Sequence, residues 1–254
     1  MLLTVDIGNS NINFGVFDGD EIKFVARIAT ERAKTEYEYA VAIDGALSIY
    51  NLNKSNIDGA IISSVVPPLN NPMREAIKLL YEIDAILVGP GVKTGINIHC
   101  DNPASVGADI ISACVAAHFI YGSPSLIVDM GTATKMMVMN DRGAFIGVSI
   151  IPGVMVSLDA LANRTAQLPM VSLEAPKNVI GKNTIDCMRS GIVYGNASMV
   201  DGMIERINDE LSTELPVYAT GGLASVITPH CKHQISYDQH LVLKGLNIIY
   251  HKNR

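Results

Sequence analysis

The chain has 254 residues, 48% of them apolar and 17% charged, and a formal net charge of −6. That length suits one large domain or two halves, and so apolar a composition excludes long disorder. The negative balance argues against a phosphate-backbone binder, so no nucleic-acid partner is expected.

The opening reads strand, turn, strand: Leu2 to Ile7, then Gly8-Asn9-Ser10-Asn11, then Ile12 to Phe17. MLLTVDIGNS has no basic n-region and no long apolar run, so no signal peptide is expected and a cytoplasmic location is. Asp18-Gly19-Asp20 marks a second turn and Glu21 to Ile28 a third strand. A helix is predicted from about Thr35 to Tyr50, with Tyr39, Val41, Ala42, Leu47 and Ile49 as its buried stripe. Ile57 to Val66 reads as a buried strand stopped by Pro67-Pro68, Pro72 to Tyr81 as a helix, and Ala85 to Val88 as a strand.

Thr94 to Pro103 is irregular, and a helix then runs from near Ser105 to about Tyr121. Its residues Ile110, Ile111, Cys114, Val115 and Phe119 fall on one helical face. The uncharged run from Ile110 to Val128 contains His118 and the breaker Gly122-Ser123-Pro124, so it reads as core helix and strand, not as a membrane span. Strands follow at Leu126 to Asp129 and through Met136 to Met139, on either side of Gly131-Thr132-Ala133; Asp141-Arg142-Gly143 turns into another. Helices are expected near Val154 to Asn163 and from about Met188 to Leu211, then a strand at Val217 to Ala219 and a helix opened by Gly221-Gly222. Cys100, Cys114, Cys187 and Cys231 are scattered without a CxxC pair and read as reduced thiols, not a zinc site. His230 and His233 read as surface residues rather than ligands.

One internal echo organises the rest. TVDIGNSNINFGVFDGD at the start is matched 123 positions later by IVDMGTATKMMVMNDRG. Each is apolar strand, Asp-x-Gly, a small polar residue, apolar strand and an Asp-containing turn. A repeat of this length implies two similar halves, here 1–123 and 124–254. The chemistry of the repeated tip suits phosphate. Glycine lets backbone N–H groups approach an anion, neighbouring hydroxyls and amides add donors, and a strand-end Asp can hold Mg²⁺ directly or through water. Two such hairpins facing each other would make a cleft for a triphosphate, with the Gly-rich turn Ala219-Thr220-Gly221-Gly222 suited to packing against adenine.

This trio resembles the superfamily of acetate and sugar kinases, heat-shock ATPases and actin. Within it, DIGNSNINFGVF, ISSVVPPL, DNPxxVGAD, VDMGTAT, IPGVxxSLxALxxRTAQLP, ATGGLA and LVLKGL, in that order, resemble the type III pantothenate kinase family across essentially the whole chain. The fold implied is α/β, two ribonuclease-H-like halves, each a mixed sheet flanked by helices. The activity implied is ATP-dependent phosphorylation of the primary hydroxyl of pantothenate, the first step of coenzyme A biosynthesis.

Carried over residue by residue, the resemblance implies ATP and phosphate contacts at Asp6, Gly8, Asn9, Ser10, Asn11, Ile12, Asn13, Thr132, Gly221 and Gly222. Asp109 is implied as general base, with substrate contacts at Cys100, Gly107, Ala108, Ile110 and, across a dimer interface, Thr184. Asp6 is implied for Mg²⁺ and Asp129 for a monovalent cation, K⁺ or NH₄⁺. A homodimer is implied, and the apolar segment Ile146 to Leu158 offers surface for an interface. Two positions depart from the family pattern: Ile110 stands where an Arg usually follows the base, and Cys100 where a Tyr usually precedes Asp-Asn-Pro. Both lie on the pantothenate side, where losing an Arg partner for a carboxylate is not conservative. Lys135, Arg164 or Lys182 are candidate compensating cations. The alternatives are therefore a family member acting on another hydroxylated small molecule, and a nucleotide-binding regulatory paralogue without turnover.

Overall fold

Residues 1–50, 52 and 54–254 are described by a computed structural model. They form two compact units: Met1–Tyr121 with Leu241–Arg254, and Gly122–His240.

In the first unit, β1 (Leu2–Ile7), β2 (Asn11–Asp18) and β3 (Glu21–Ala29) form an antiparallel meander. Helix α1 (Glu36–Ile49) starts at a reciprocal cap, in which Thr35 Oγ1 accepts from Glu38 N–H and the Glu38 carboxylate from Thr35 N–H. Its buried stripe is Tyr39, Ala40, Ile43 and Leu47. Val41 and Ile49, expected in that stripe, face solvent. Strand β4 (Gly59–Ser64) adds parallel to β1, and a 3-10 turn at Pro67–Leu69 leads into α2 (Asn70–Tyr81) and β5 (Ile86–Leu87). The sheet order is β3-β2-β1-β4-β5. The stretch read as irregular holds a short strand, β6 (Asn97–Ile98), and a 3-10 turn at Pro103–Ser105.

Helix α3 (Ala108–Ala116) continues as a π-helical turn, Ala117–Tyr121. Ala108 and every residue from Ile110 to Ala117 are buried, so α3 is covered on all sides instead of along one stripe. Phe119, expected on the buried face, is 44% exposed, because the wider π turn rotates it off the α-helical register.

The second unit holds β7 (Ser125–Met130), β8 (Ala133–Met139), β9 (Ala144–Pro152), α4 (Val154–Arg164), α5 (Thr184–Leu211), β10 (Val217–Thr220), α6 (Ala224–Ile227) and β11 (Ile235–Tyr237). Its strands lie in the order β9-β8-β7-β10-β11, antiparallel on the β8 side of β7 and parallel on the β10 side. That repeats the first unit strand for strand, as the sequence echo implies. Helix α5 begins a turn before the expected Met188, because Asn183 caps it by accepting from Asp186 N–H. The helix expected after Gly221-Gly222 is one turn only, passing into a 3-10 turn at Thr228–His230 that contains Pro229.

Helix α7 (Leu241–Lys252), for which the sequence reading names no element, returns to the first unit. A division at 123/124 differs at this helix. Gly245 permits the docking: a Cβ there would overlap the Ser112 carbonyl of α3. Buried Leu243, Leu246, Ile249 and Tyr250 join the core around α3. Among the described residues no helix is long and apolar enough to cross a membrane.

Candidate functional site

The first hairpin and Asp109 meet at one end of one sheet. Strands β1 and β4 run parallel with Ile7 beside Ser64, and Val65 N–H donates to the Ile7 carbonyl at 3.0 Å. Both strands therefore end side by side, and in open α/β sheets ligands bind beyond such carboxyl ends. Asp6 and Asn13 are cross-strand partners just below the tip. In the turn, Gly8 N–H donates to the Asn11 carbonyl at 3.0 Å. Thr30 fastens the turn from β3's side: its N–H donates to the Ser10 carbonyl at 3.0 Å and its hydroxyl to the Gly8 carbonyl at 2.7 Å. Asn9, Ser10 and Asn11 are exposed. The Ile12 side chain is fully buried, so its backbone is what it offers a ligand.

Helix α3 starts at the same end. A Cβ on Gly107, its N-cap, would lie 2.5 Å from Asp109 Oδ1 and 3.6 Å from Val65 Cγ1. Glycine at 107 thus leaves room for the Asp109 carboxylate beside the end of β4. Asp109 is partly buried in the first turn of α3, where the helix dipole favours an anion, and its Oδ1 accepts from Ile110 N–H at 2.8 Å. Ala108 and Ile110 are buried, Ile110 with 7% of its surface exposed. Cys100 is a partly buried free thiol. Asp6, the 8–11 turn, Gly107 and Asp109 all belong to the first unit; Thr132, Thr184, Gly221 and Gly222 belong to the second.

The second hairpin is one residue shorter at its tip. The pair Ile7 and Ile12 encloses residues 8–11, whereas Met130 and Thr134 enclose only 131–133. The 123-residue spacing therefore holds from Asp6 to Asp129 and slips by one on the return strand. Lys135 stands opposite Asp129, in the place Asn13 holds opposite Asp6. Its Nζ lies 2.6 Å from Asp129 Oδ2, with the Lys135 and Asp129 side chains 14% and 13% exposed.

Glycines enclose this hairpin. Gly221 has φ +92°, and a Cβ on it would sit 2.7 Å from Asp129 Oδ1 and 2.6 Å from the Met130 carbonyl. A Cβ on Gly153, the N-cap of α4, would overlap the Thr132 carbonyl. The motif strings carried both glycines, but nothing in their spacing says that one lies over the Asp129 carboxylate and the other under the tip. In the sequence Lys135 is only a candidate cation for substrate, because the slip that aims it at Asp129 is invisible until the strands are paired.

Thr184, the first residue of α5, is exposed beside a groove of about 670 Å³ lined by Leu161, Gly181, Lys182, Asn183 and Cys187. Arg164 is exposed in the last turn of α4. Elsewhere in this unit Asp201 holds the 232–233 loop. Burial pushes its carboxyl up, but the N–H groups of Lys232 and His233 and the His233 ring together hold it below its ordinary value. The His230 ring packs edge-on against Tyr194. Both histidines thus have structural contacts of their own.

A model of the type III pantothenate kinase family matches residues 2–206. The chain is 46% identical, over 253 residues, to a type III pantothenate kinase of Geobacillus sp., covering 100% of this chain and 98% of the relative. Among solved structures, it is similar to the activator of the 2-hydroxyisocaproyl-CoA dehydratase from Clostridium difficile with bound ADPNP, at TM-score 0.58 and 13% identity, covering 97% and 92% of the two chains. It is also similar to an inorganic polyphosphate/ATP-glucomannokinase from Arthrobacter sp., at TM-score 0.51 and 15% identity, covering 99% and 98%. At those identities the structures speak for the fold alone, and that fold is the two-lobed one of actin-like ATPases and sugar kinases.

Proposed function

The chain belongs to the type III pantothenate kinase family, and on that premise we propose that it transfers the γ-phosphoryl group of ATP to the primary hydroxyl of pantothenate. The products are 4'-phosphopantothenate and ADP, and the step opens coenzyme A biosynthesis. The observation that carries this reading is the placement of Asp109 and the Gly8–Asn11 turn at the same carboxyl end of the β1–β4 pair.

In this reading Asp109 accepts the proton of the substrate hydroxyl, and the N-terminal turn of α3 steadies its carboxylate. Phosphoryl transfer asks the protein mainly for positioning and charge stabilisation. The 8–11 turn, fixed by Thr30, binds phosphate oxygens through backbone and side-chain donors; Thr132, Gly221 and Gly222 are the further nucleotide contacts. Asp6 opposite Asn13 is a carboxylate–amide pair of oxygen donors that fits Mg²⁺. The metal would neutralise phosphate charge there. Gly107, Ala108, Ile110 and Cys100 border the acceptor side. Thr184, with Lys182 on the same groove, is the polar group that the resemblance has reach pantothenate across a dimer interface. Ile150, Val179 and Ile180, exposed on that unit, support a homodimer. The location in this reading is the cytoplasm. A positive charge beside Asp129 completes it, with K⁺ or NH₄⁺ as the form the resemblance implies and Lys135 as the form this chain offers.

Asp109→Asn tests the assignment. It keeps the shape and removes the proton acceptor, so turnover should fall by about 10²–10⁴-fold while affinity for a non-hydrolysable ATP analogue is kept. Turnover close to that of the unmodified protein would remove Asp109 from the base role.

A further inference from the structure

We infer that Lys135 is a built-in monovalent cation: its tethered ammonium holds the charge beside Asp129, and the enzyme requires neither potassium nor ammonium ion. The inference rests on the kinase reading above and deepens it at one site.

The Asp129 carboxylate itself leaves a free ion little to bind. Oδ2 is engaged by Lys135 Nζ at 2.6 Å. Oδ1 lies against the Gly221 backbone, so close that a Cβ there would be 2.7 Å away. A potassium ion would have to share this carboxylate with a second cation a few ångströms off, in a largely buried setting where like charges repel strongly. The residues present do not fit the ion. They do fit the lysine, whose ammonium is a compact point charge with three donors.

The arrangement has a structural origin. With a tip as long as that of the first hairpin, the residue opposite Asp129 would be Met136, by the 123-residue spacing from Asn13. The three-residue tip, 131–133, shifts the return strand by one and turns Lys135 to the face that carries the Asp. A one-residue register change moves every side chain to the opposite face of a strand, so the shortened tip and the lysine work as a pair. The glycines at 153 and 221 permit the tight tip to seat, by omitting a Cβ that would strike Thr132 or Met130 and Asp129.

The test measures two quantities in choline, sodium, potassium and ammonium chloride at one ionic strength. They are pantothenate-dependent ADP release and the affinity for a non-hydrolysable ATP analogue. For the unmodified protein both should agree across the salts within about twofold. Lys135→Ala should lose about tenfold or more in choline and recover in potassium or ammonium, whereas Lys135→Arg should stay indifferent to the salt. A purely structural ion pair would lower thermal stability without any recovery by K⁺ or NH₄⁺. Should the Ala variant fail to fold, the unmodified protein still decides: a gain of about tenfold in potassium over sodium, in either quantity, overturns the inference. If no salt supports ADP release, the kinase reading fails and the analogue affinities still test the lysine.

Discussion

The two hairpins share strand order, an Asp-x-Gly sequence and a place at the centre of their sheets, yet they treat their carboxylates differently. In the first, Asp6 faces the neutral amide of Asn13, and Asp109 nearby accepts from the start of a helix. In the second, Asp129 faces Lys135, and farther off Asp201 is held by two backbone N–H groups and His233. A duplicated scaffold can therefore keep its strand order while the residue opposite the hairpin Asp changes from an amide in one copy to an ammonium in the other. The residue that decides this is one position on the return strand, selected by the length of a turn.

Predictions follow from setting the two units against each other. The largest effect belongs to the first. Ile110 is buried in a helix covered on all sides, so Ile110→Arg would bury a guanidinium with no provision for it. A loss of about 3–5 kcal/mol is expected, visible as a much lower melting temperature. A variant of normal stability with a lower KM for pantothenate would instead show that position 110 opens to the substrate carboxylate.

A smaller contrast lies in the tips themselves. Gly153→Ala puts a Cβ into the Thr132 carbonyl, and relief requires a backbone shift of the second hairpin; about 1–3 kcal/mol of destabilisation is expected. At Gly8 the added Cβ would lie 3.0 Å from the Asn11 carbonyl, so a movement of a few tenths of an ångström suffices and Gly8→Ala should cost less. Urea unfolding of both variants checks the order, and a reversed order would mean that the first tip is the more tightly packed.

The smallest effect is the acid response of the second unit. Asp201 sits below its ordinary value of 3.8 when folded. The stability it contributes is therefore present above that value and lost as pH falls through the folded value. Asp201→Asn should cost about 1 kcal/mol at pH 7, and the gap to the unmodified protein should close as pH falls below the ordinary carboxylate value and through the lowered folded one. A gap that is independent of pH would assign the role to shape, not charge.

Local chemistry made most of the elements legible in the sequence. Turn residues and apolar runs located both hairpins, Pro67-Pro68 the end of β4, and Asp-x-Gly the two tips. Features set by tertiary packing were not legible. Val41 and Ile49 are as apolar as Tyr39 and Leu47, but only the neighbours of α1 determine which of them is covered. The return of α7 to the first unit depends on Gly245 meeting Ser112, a contact between residues 133 positions apart. At the site, the Gly8–Asn11 turn and Asp109 stand out in the sequence by their glycine, hydroxyl and carboxylate chemistry, and the structure sets both at one end of the β1–β4 pair. The ion pair of Asp129 and Lys135 was not, since an apparent match of 17 residues conceals a one-residue slip in pairing.

The measurement that bears most directly on the central claim is ADP release with and without pantothenate, in magnesium-containing buffer, with the acceptor product identified by mass spectrometry. The account predicts ADP formation that depends on pantothenate, with one phosphoryl group on pantothenate for each ADP. Nucleotide binding without turnover, or ADP release that pantothenate does not change, would contradict it.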